Sequence, residues 1–153
     1  MKAVLMSINP QWVQKIFNGE KTVEVRKRAP LTVHPYKVYV YCTQGGDPYW
    51  HMPVEGKRPY HVNGTVCGEF TCASTTEYNP PWRNHMLGTC LDAKDLYAYA
   101  AGADKLCYMA IENPILYDEP KHLADFGLER APMSWQYIDV PMRPSPIEKG
   151  RER

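Results

Sequence analysis

Residues 19–28 read Gly-Glu-Lys-Thr-Val-Glu-Val-Arg-Lys-Arg, and they are the sharpest chemical feature of the chain. If Thr22 to Arg28 is a strand, its two-residue period sends Val23 and Val25 to one side. Thr22, Glu24, Arg26 and Arg28 then go to the other. Lys21 stands at the turn before this strand, where its ammonium can reach over the edge. One face would thus hold a carboxylate and a guanidinium, with an ammonium beside them. Arginine suits planar, bidentate recognition of a phosphate or a base edge. Lysine is a point charge whose pKa falls on desolvation, which opens base and nucleophile roles. Glutamate accepts a hydrogen bond from an exocyclic amine or moves a proton. The same pattern also fits a solvated strand face laced with ion pairs, each worth about 0–1 kcal/mol.

The elements around this segment are well punctuated. Residues 2–8 alternate, with Val4, Met6 and Ile8 on one face, as in a strand. Asn9-Pro10 reads as a helix start, and Trp12, Val13, Ile16 and Phe17 share one helical face. Asn18-Gly19 ends that helix, since glycine enters the left-handed region freely. Further strands are expected over 37–42, over 62–76 with Gly64 and Gly68 as bulge or close-approach points, over 105–117 with a bend at Asn113-Pro114, and over 134–140. A helix capped by Asp92 is expected over 92–101, and a helical turn over 120–126. These short strands and helices predict an α+β fold, a small, partly closed β-barrel with short helices at its rim.

Two irregular stretches, 43–62 and 78–88, are rich in proline and aromatic residues. Tyr49, Trp50, Tyr60, Tyr78 and Trp82 can stack on a base, each worth about 1–3 kcal/mol, or can pack over the core as lids. Glu69 lies on an alternating strand and matters to chemistry only if its side faces the same cleft as Lys21. The five histidines show no metal spacing, and the five cysteines contain no C-x-x-C pair. Reduced, buried thiols are therefore expected, with no metal and no cofactor.

The chain has 153 residues, 44% of them hydrophobic, enough for one domain with a real core. That domain is expected over 1–142, with a loose polar tail at 143–153. No stretch approaches the ~20 apolar residues of a membrane helix. Val4-Leu5-Met6 is too short for a secretory signal, so a cytoplasmic setting with no membrane association is expected. The net charge of +1 argues against attraction of nucleic acid by the whole surface. Any such binding must come from a local cluster, which Lys21, Arg26, Lys27 and Arg28 supply.

The run Leu5-Met6-Ser7-Ile8-Asn9-Pro10, followed by Gly19 to Arg28, resembles the ASCH domain family within the PUA-like superfamily. The family's mark is a G-x-K-x-x-E-x-R motif after the first helix, complete here as Gly19, Lys21, Glu24 and Arg26. Ile111-Glu112-Asn113-Pro114, Tyr117, Pro120-Lys121, Leu123, Phe126 and Pro132-Met133-Ser134-Trp135 extend the resemblance over about residues 2–140. It implies a PUA-like β-barrel with a cleft beside the motif that binds RNA or a nucleotide-like ligand. On this reading the ligand-binding candidates are Lys21, Glu24, Arg26, Arg28, Tyr49, Trp50 and Trp82. The resemblance also implies an alternative, a small metal-independent hydrolase. One branch of small ASCH proteins cleaves the amide of an N4-acylated cytidine with Lys, Thr and Glu, and another is ribonuclease-like. Lys21 matches the lysine of that set, and Glu69 is the candidate for its glutamate. Glu24 stands where the threonine would fall, and Thr22 is two residues away. The catalytic candidates are then Lys21 with Glu24 or Glu69. A protein partner in a larger assembly is a third possibility.

Overall fold

The computed structural model describes residues 2–53 and 56–139. The chain begins with strand β1 (Lys2–Ile8), helix α1 (Pro10–Phe17), β2 (Val23–Arg26) and β3 (Tyr36–Cys42). A two-stranded hairpin of β4 (Trp50–His51) and β5 (Tyr60–His61) follows. The long strand β6 (Val66–Tyr78), helix α2 (Ala93–Ala100), the long strand β7 (Leu106–Lys121) and β8 (Trp135–Asp139) complete the order. Single 3₁₀ turns lie at Trp82–Asn84 and Leu123–Phe126. The tail expected over 143–153 lies outside the described residues.

Six strands form one mixed sheet in the order β2-β7-β6-β3-β1-β8. β1 and β3 are parallel, and α1 lies in the crossover between them. The two-residue period then builds two separate apolar faces. Val4, Met6 and Ile8 meet Val38, Val40 and Cys42 in the main core, which Val13 and Ile16 of α1 cover. Ala3 and Leu5 point the other way, to Tyr39, Tyr41, Val66 and Tyr117. A third cluster joins Val25, Trp82, Leu96, Leu106 and Tyr108, and so anchors α2 to the β2–β7 edge. Both faces of β1 are buried, which accounts for its apolar run from Ala3 to Met6.

Where the chain turns, its chemistry matches its geometry. Pro10 opens α1, and Gly19 follows that helix at φ 89°. Asn9 stands at the cap position, but its side chain does not cap the helix; its Oδ1 accepts from Thr43 instead. Gly68 marks a close approach between β6 and β7. A Cβ there would collide with the Ile115 carbonyl and would sit 2.6 Å from the Phe17 ring. Asn113 takes φ 50° in the middle of β7, the bend expected at Asn113-Pro114.

The sheet does not close into the expected barrel. Its outer strands, β2 and β8, each pair with one neighbour and share no ladder. β2 is four residues long and ends at Arg26, ahead of bends at Lys27 and Arg28 and of Pro30, which has no N–H to donate. Side chains bridge the gap instead. The Arg26 guanidinium donates to Ser134 Oγ at 3.0 Å and to the Ser7 carbonyl at 2.9 Å. Trp135 Nε1 donates to the Arg28 carbonyl at 3.0 Å, and the Leu31 N–H donates to the Tyr137 hydroxyl at 2.7 Å.

Candidate functional site

Tight backbone bonds set the entry to β2. The Lys21 N–H donates to the Lys15 carbonyl of α1, and the N–H groups of Thr22 and Val23 both donate to the Gly88 carbonyl. The helix end and the 85–91 loop therefore fix where Lys21 points. Glu24 pairs in register with Met109, a main-core residue, so Glu24 and Arg26 project to the inner side of the curled sheet. Val25 projects outward to Tyr108 and Trp82.

The result is a chain of buried charge. Lys21 is only 2% exposed, and its Nζ donates to the Thr89 carbonyl at 2.5 Å. The same Nζ lies 3.5 Å from Glu24 Oε1 and 5.2 Å from the centre of the Trp12 ring. Glu24 Oε2 accepts from Arg26 Nε at 2.8 Å. These bonds use three of the five N–H donors of Arg26, one to Glu24, one to Ser134 and one to Ser7. Burial holds the Lys21 pKa below its ordinary value, and the Glu24 carboxylate opposes part of that shift. Thr89, which presents the carbonyl, is fully buried, and its hydroxyl is tied to the Met86 and Leu91 backbone.

These groups form the floor of a cleft of about 640 Å³, within the ~300–1,000 Å³ usual for small-ligand sites. Trp12, Tyr99 and Met133 stand in its walls, and Asn9, Gln11, Thr43 and Asp95 add polar atoms at the rim. Tyr99 and Asp95 come from α2, which a reciprocal cap between Asp92 and Asp95 holds in place. The floor combines a cation of lowered pKa, a carboxylate and a fixed guanidinium, beside two aromatic rings. It can donate to phosphate or carbonyl oxygens, accept from an amine, and stack a planar ring.

Of the residues singled out in the sequence, Lys21, Glu24 and Arg26 come together here. Glu69 does not. It pairs in register with Tyr39 and Ile115, on the opposite face of the sheet. There it accepts from the Tyr117 hydroxyl at 2.8 Å and pairs with Lys37 at 2.8 Å. Trp82 is 2% exposed in the third cluster, its Nε1 donating to the Tyr78 carbonyl, so its ring is closed to a ligand. Tyr49 packs against the main core, while Trp50 is exposed on the β4–β5 hairpin beside His61; neither lines the cleft. Arg28 leaves the cleft altogether and lies over the Trp135 ring, 4.7 Å from its centre.

Tyr99, Ser7 and Ser134 are site residues that the linear pattern leaves unmarked. Ser7-Ile8-Asn9 and Met133-Ser134 lie inside the stretches that resemble the ASCH family, which is their only signal; Tyr99 has none. All five cysteines are free thiols, four of them buried on strands and Cys90 half-buried in the loop after Thr89. Among the described residues no helix is long and apolar enough to cross a membrane.

No family model matches the chain. Solved structures do. The crystal structure of ASCH from Zymomonas mobilis superposes with a TM-score of 0.66 at 20% identity, covering 90% of this chain and 87% of that one. A tyrosine-to-phenylalanine variant of the same protein gives a TM-score of 0.67 at 20% identity, covering 91% of each chain. The chain therefore has the ASCH fold. Among curated proteins, the large ribosomal subunit protein uL22 of two Ureaplasma parvum serovar 3 strains is 24% identical over 140 residues. Those residues are 90% of this chain but 39% of the relatives, so the chain matches well under half of their length.

Proposed function

We propose that this ASCH-fold chain binds RNA or a nucleotide-like ligand in the cleft floored by Lys21, Glu24 and Arg26. The observation that carries the reading is the buried Lys21 ammonium, held beside Glu24 and Arg26 at the base of a cleft of about 640 Å³. Burying a lysine and an arginine against one carboxylate is costly unless the arrangement is put to use, and perturbed ionisable groups in a cleft mark functional sites. Lys21 and the remaining Arg26 donors suit phosphate or carbonyl oxygens, Glu24 suits an amine edge, and Tyr99 offers a ring to stack on. The resemblance to a ribosomal protein supports an RNA setting.

Isothermal titration of the ribonucleoside 5′-monophosphates and short single-stranded RNA tests the reading. Binding is expected, with Lys21→Met and Arg26→Ala each weakening it by at least about tenfold, since one charge-assisted hydrogen bond is worth about 1.5–3 kcal/mol. Absence of binding to every nucleotide and RNA offered would falsify the reading.

One observation favours turnover as a second reading. A lysine of lowered pKa 3.5 Å from a carboxylate is a competent base for activating water toward an amide or a phosphodiester. Glu24 is then its partner, because Glu69 lies on the other face. Mass detection of products from acylated nucleosides and small RNAs decides this reading, and intact substrate throughout rejects it.

A further inference from the structure

Behind β2, on the side turned away from Glu24 and Arg26, lies a second hollow of about 300 Å³. Val23 has the outward parity of Val25 and lines it together with Ala110, its register partner on β7. Ser74 and Thr76 of β6 add hydroxyls, and Asn84 adds an amide. The lining carries no carboxylate, ammonium or guanidinium. An ion entering it would lose water without gaining a counter-charge, so the hollow suits an uncharged occupant. Its volume is at the small end for ligand sites, about that of one substituted ring.

The aromatic wall belongs to Tyr78, His85 and Tyr108. His85 stacks on Tyr78, with ring centres 3.7 Å apart and planes 14° from parallel. Tyr108 meets Tyr78 edge-on at 4.9 Å and His85 at 6.1 Å. The buried Trp82 fastens this turn, its Nε1 donating to the Tyr78 carbonyl at 3.1 Å and its own carbonyl accepting from the His85 N–H at 2.9 Å. The backbone is thus held, while the half-buried His85 side chain reaches no further than the ring of Tyr78. The face of Tyr78 accepts a flat ring bearing polar atoms, since one already lies on it.

Tyr108 supplies the second observation. The residue is 7% exposed, and its hydroxyl, shut off from solvent, makes no hydrogen bond among the described residues. Buried polar groups are seldom left so, and each exception asks for a reason. Packing is not the reason, because a phenylalanine ring would pack as well. Burial pushes the Tyr108 pKa up, so the hydroxyl keeps its proton and has a hydrogen to donate. A polar atom that adds nothing to the fold is the kind of cost that functional sites retain.

We propose that this hollow binds a small uncharged aromatic amide, whose ring takes the place of His85 on Tyr78 and whose carbonyl accepts from the Tyr108 hydroxyl. Turning His85 aside opens the way to that hydroxyl, and Ser74, Thr76 and Asn84 offer acceptors to the amide N–H groups. The site lies on the reverse of β2 and stands or falls independently of the cleft reading.

The test is titration of the full chain with benzamide, followed by two-dimensional NMR. Saturable shifts are expected at Thr76, Tyr78, His85 and Tyr108. Tyr108→Phe should weaken binding about fivefold, as one neutral hydrogen bond supplies, and should leave the thermal midpoint unchanged or raised. His85→Ala should tighten binding about twofold or more, because the competing ring is gone. Cyclohexanecarboxamide, which cannot stack, should bind more weakly than benzamide, and benzoate more weakly still. No saturable shift from benzamide up to its solubility would overturn the site, as would shifts centred on Trp12, Tyr99 and Met133 of the cleft. Benzoate binding as tightly as benzamide would overturn the uncharged class, and cyclohexanecarboxamide doing so would overturn the stacking. A thermal midpoint lowered in Tyr108→Phe would show that the hydroxyl serves the fold, and tightening absent from His85→Ala would show that no ring is displaced; either result would sink the proposal.

Discussion

Two buried glutamates, equally shielded at 6% exposure, lie on opposite faces of one sheet, and Glu24 is the one that lines the cleft beside Lys21. Glu69 sits beside the second apolar cluster. Tyr117 donates to it, the half-exposed Lys37 pairs with it, and Leu123, Phe126, Leu128 and Ala131 pack against the apolar residues around it. Glu24 lies between an almost fully buried lysine and an arginine that also fastens the open side of the sheet. The difference teaches that burial of a carboxylate does not mark a site. What marks it is the company of a second buried charge and a way out to solvent.

Replacing each glutamate breaks that comparison most forcefully. Glu24→Ala leaves Lys21 and Arg26 facing one another without a counter-ion, and breaking a buried pair in this way costs about 3–5 kcal/mol. It should also abolish nucleotide binding. Glu69→Ala removes the acceptor that the Tyr117 hydroxyl bonds at 2.8 Å, while Lys37 can turn to water, and costs about 1–3 kcal/mol. Binding should survive it. Urea denaturation with parallel titrations reads both effects. Equal losses of binding in the two variants would show that the faces are not functionally separate.

The pH dependence of binding sharpens the same contrast with a smaller perturbation. Burial lowers the Lys21 pKa, so in the folded chain the ammonium gives up its proton below the 10.5 of a free lysine. Between that lowered value and 10.5 the unfolded chain holds the proton and the folded chain does not. Stability contributed by Lys21 therefore rises with pH across that window. Binding of an anionic nucleotide moves the opposite way. It should weaken as pH climbs through the lowered value, by about tenfold per unit beyond it. Lys21→Met should flatten both trends. Lys37 beside Glu69 is far more exposed than Lys21, and Lys37→Met should leave both pH trends in place.

Much of this contrast is legible in the sequence. The cap at Asp92, the stop at Gly19 and the alternation of Val4, Met6 and Ile8 are local signals, and the structure carries all three. Glu24 and Arg26 meet because two alternate positions of one short strand are neighbours without long-range information, whereas Lys21 is turned onto them by the distant Gly88 and Thr89 carbonyls. Which face Glu69 takes is not legible in the sequence because a two-residue period gives the parity of a strand but not which parity faces which layer. That choice is made by the pairing of β6 with β3 and β7, partners distant in sequence. The place of Trp82 is hidden in the same way, since a tryptophan in a proline-rich loop reads alike whether it stacks on a base or fills the space under α2. The open sheet is equally hidden: β2 stops at Arg26 before the bends that follow, and an arginine side chain spans the seam in place of a ladder.

The smallest expected effect lies in the caps that hold the covering element on each face. Asp92 and Asp95 bond reciprocally at the start of α2, the helix that brings Asp95 and Tyr99 to the cleft. On the opposite face Asp125 accepts from the His122 N–H at 2.9 Å, at the head of the 3₁₀ turn that packs Leu123 and Phe126 over Tyr39 and Tyr117. Loss of a cap costs about 0.5–2 kcal/mol. Asp92→Ala should therefore lower stability only slightly, yet loosen the Tyr99 wall and weaken monophosphate binding a few-fold. Asp125→Ala should cost no more stability and leave binding unchanged, because its turn lies on the face away from the cleft. If Asp125→Ala weakened binding as much as Asp92→Ala, the two faces would be coupled through the sheet, and the position of Tyr99 would not depend on its own helix cap.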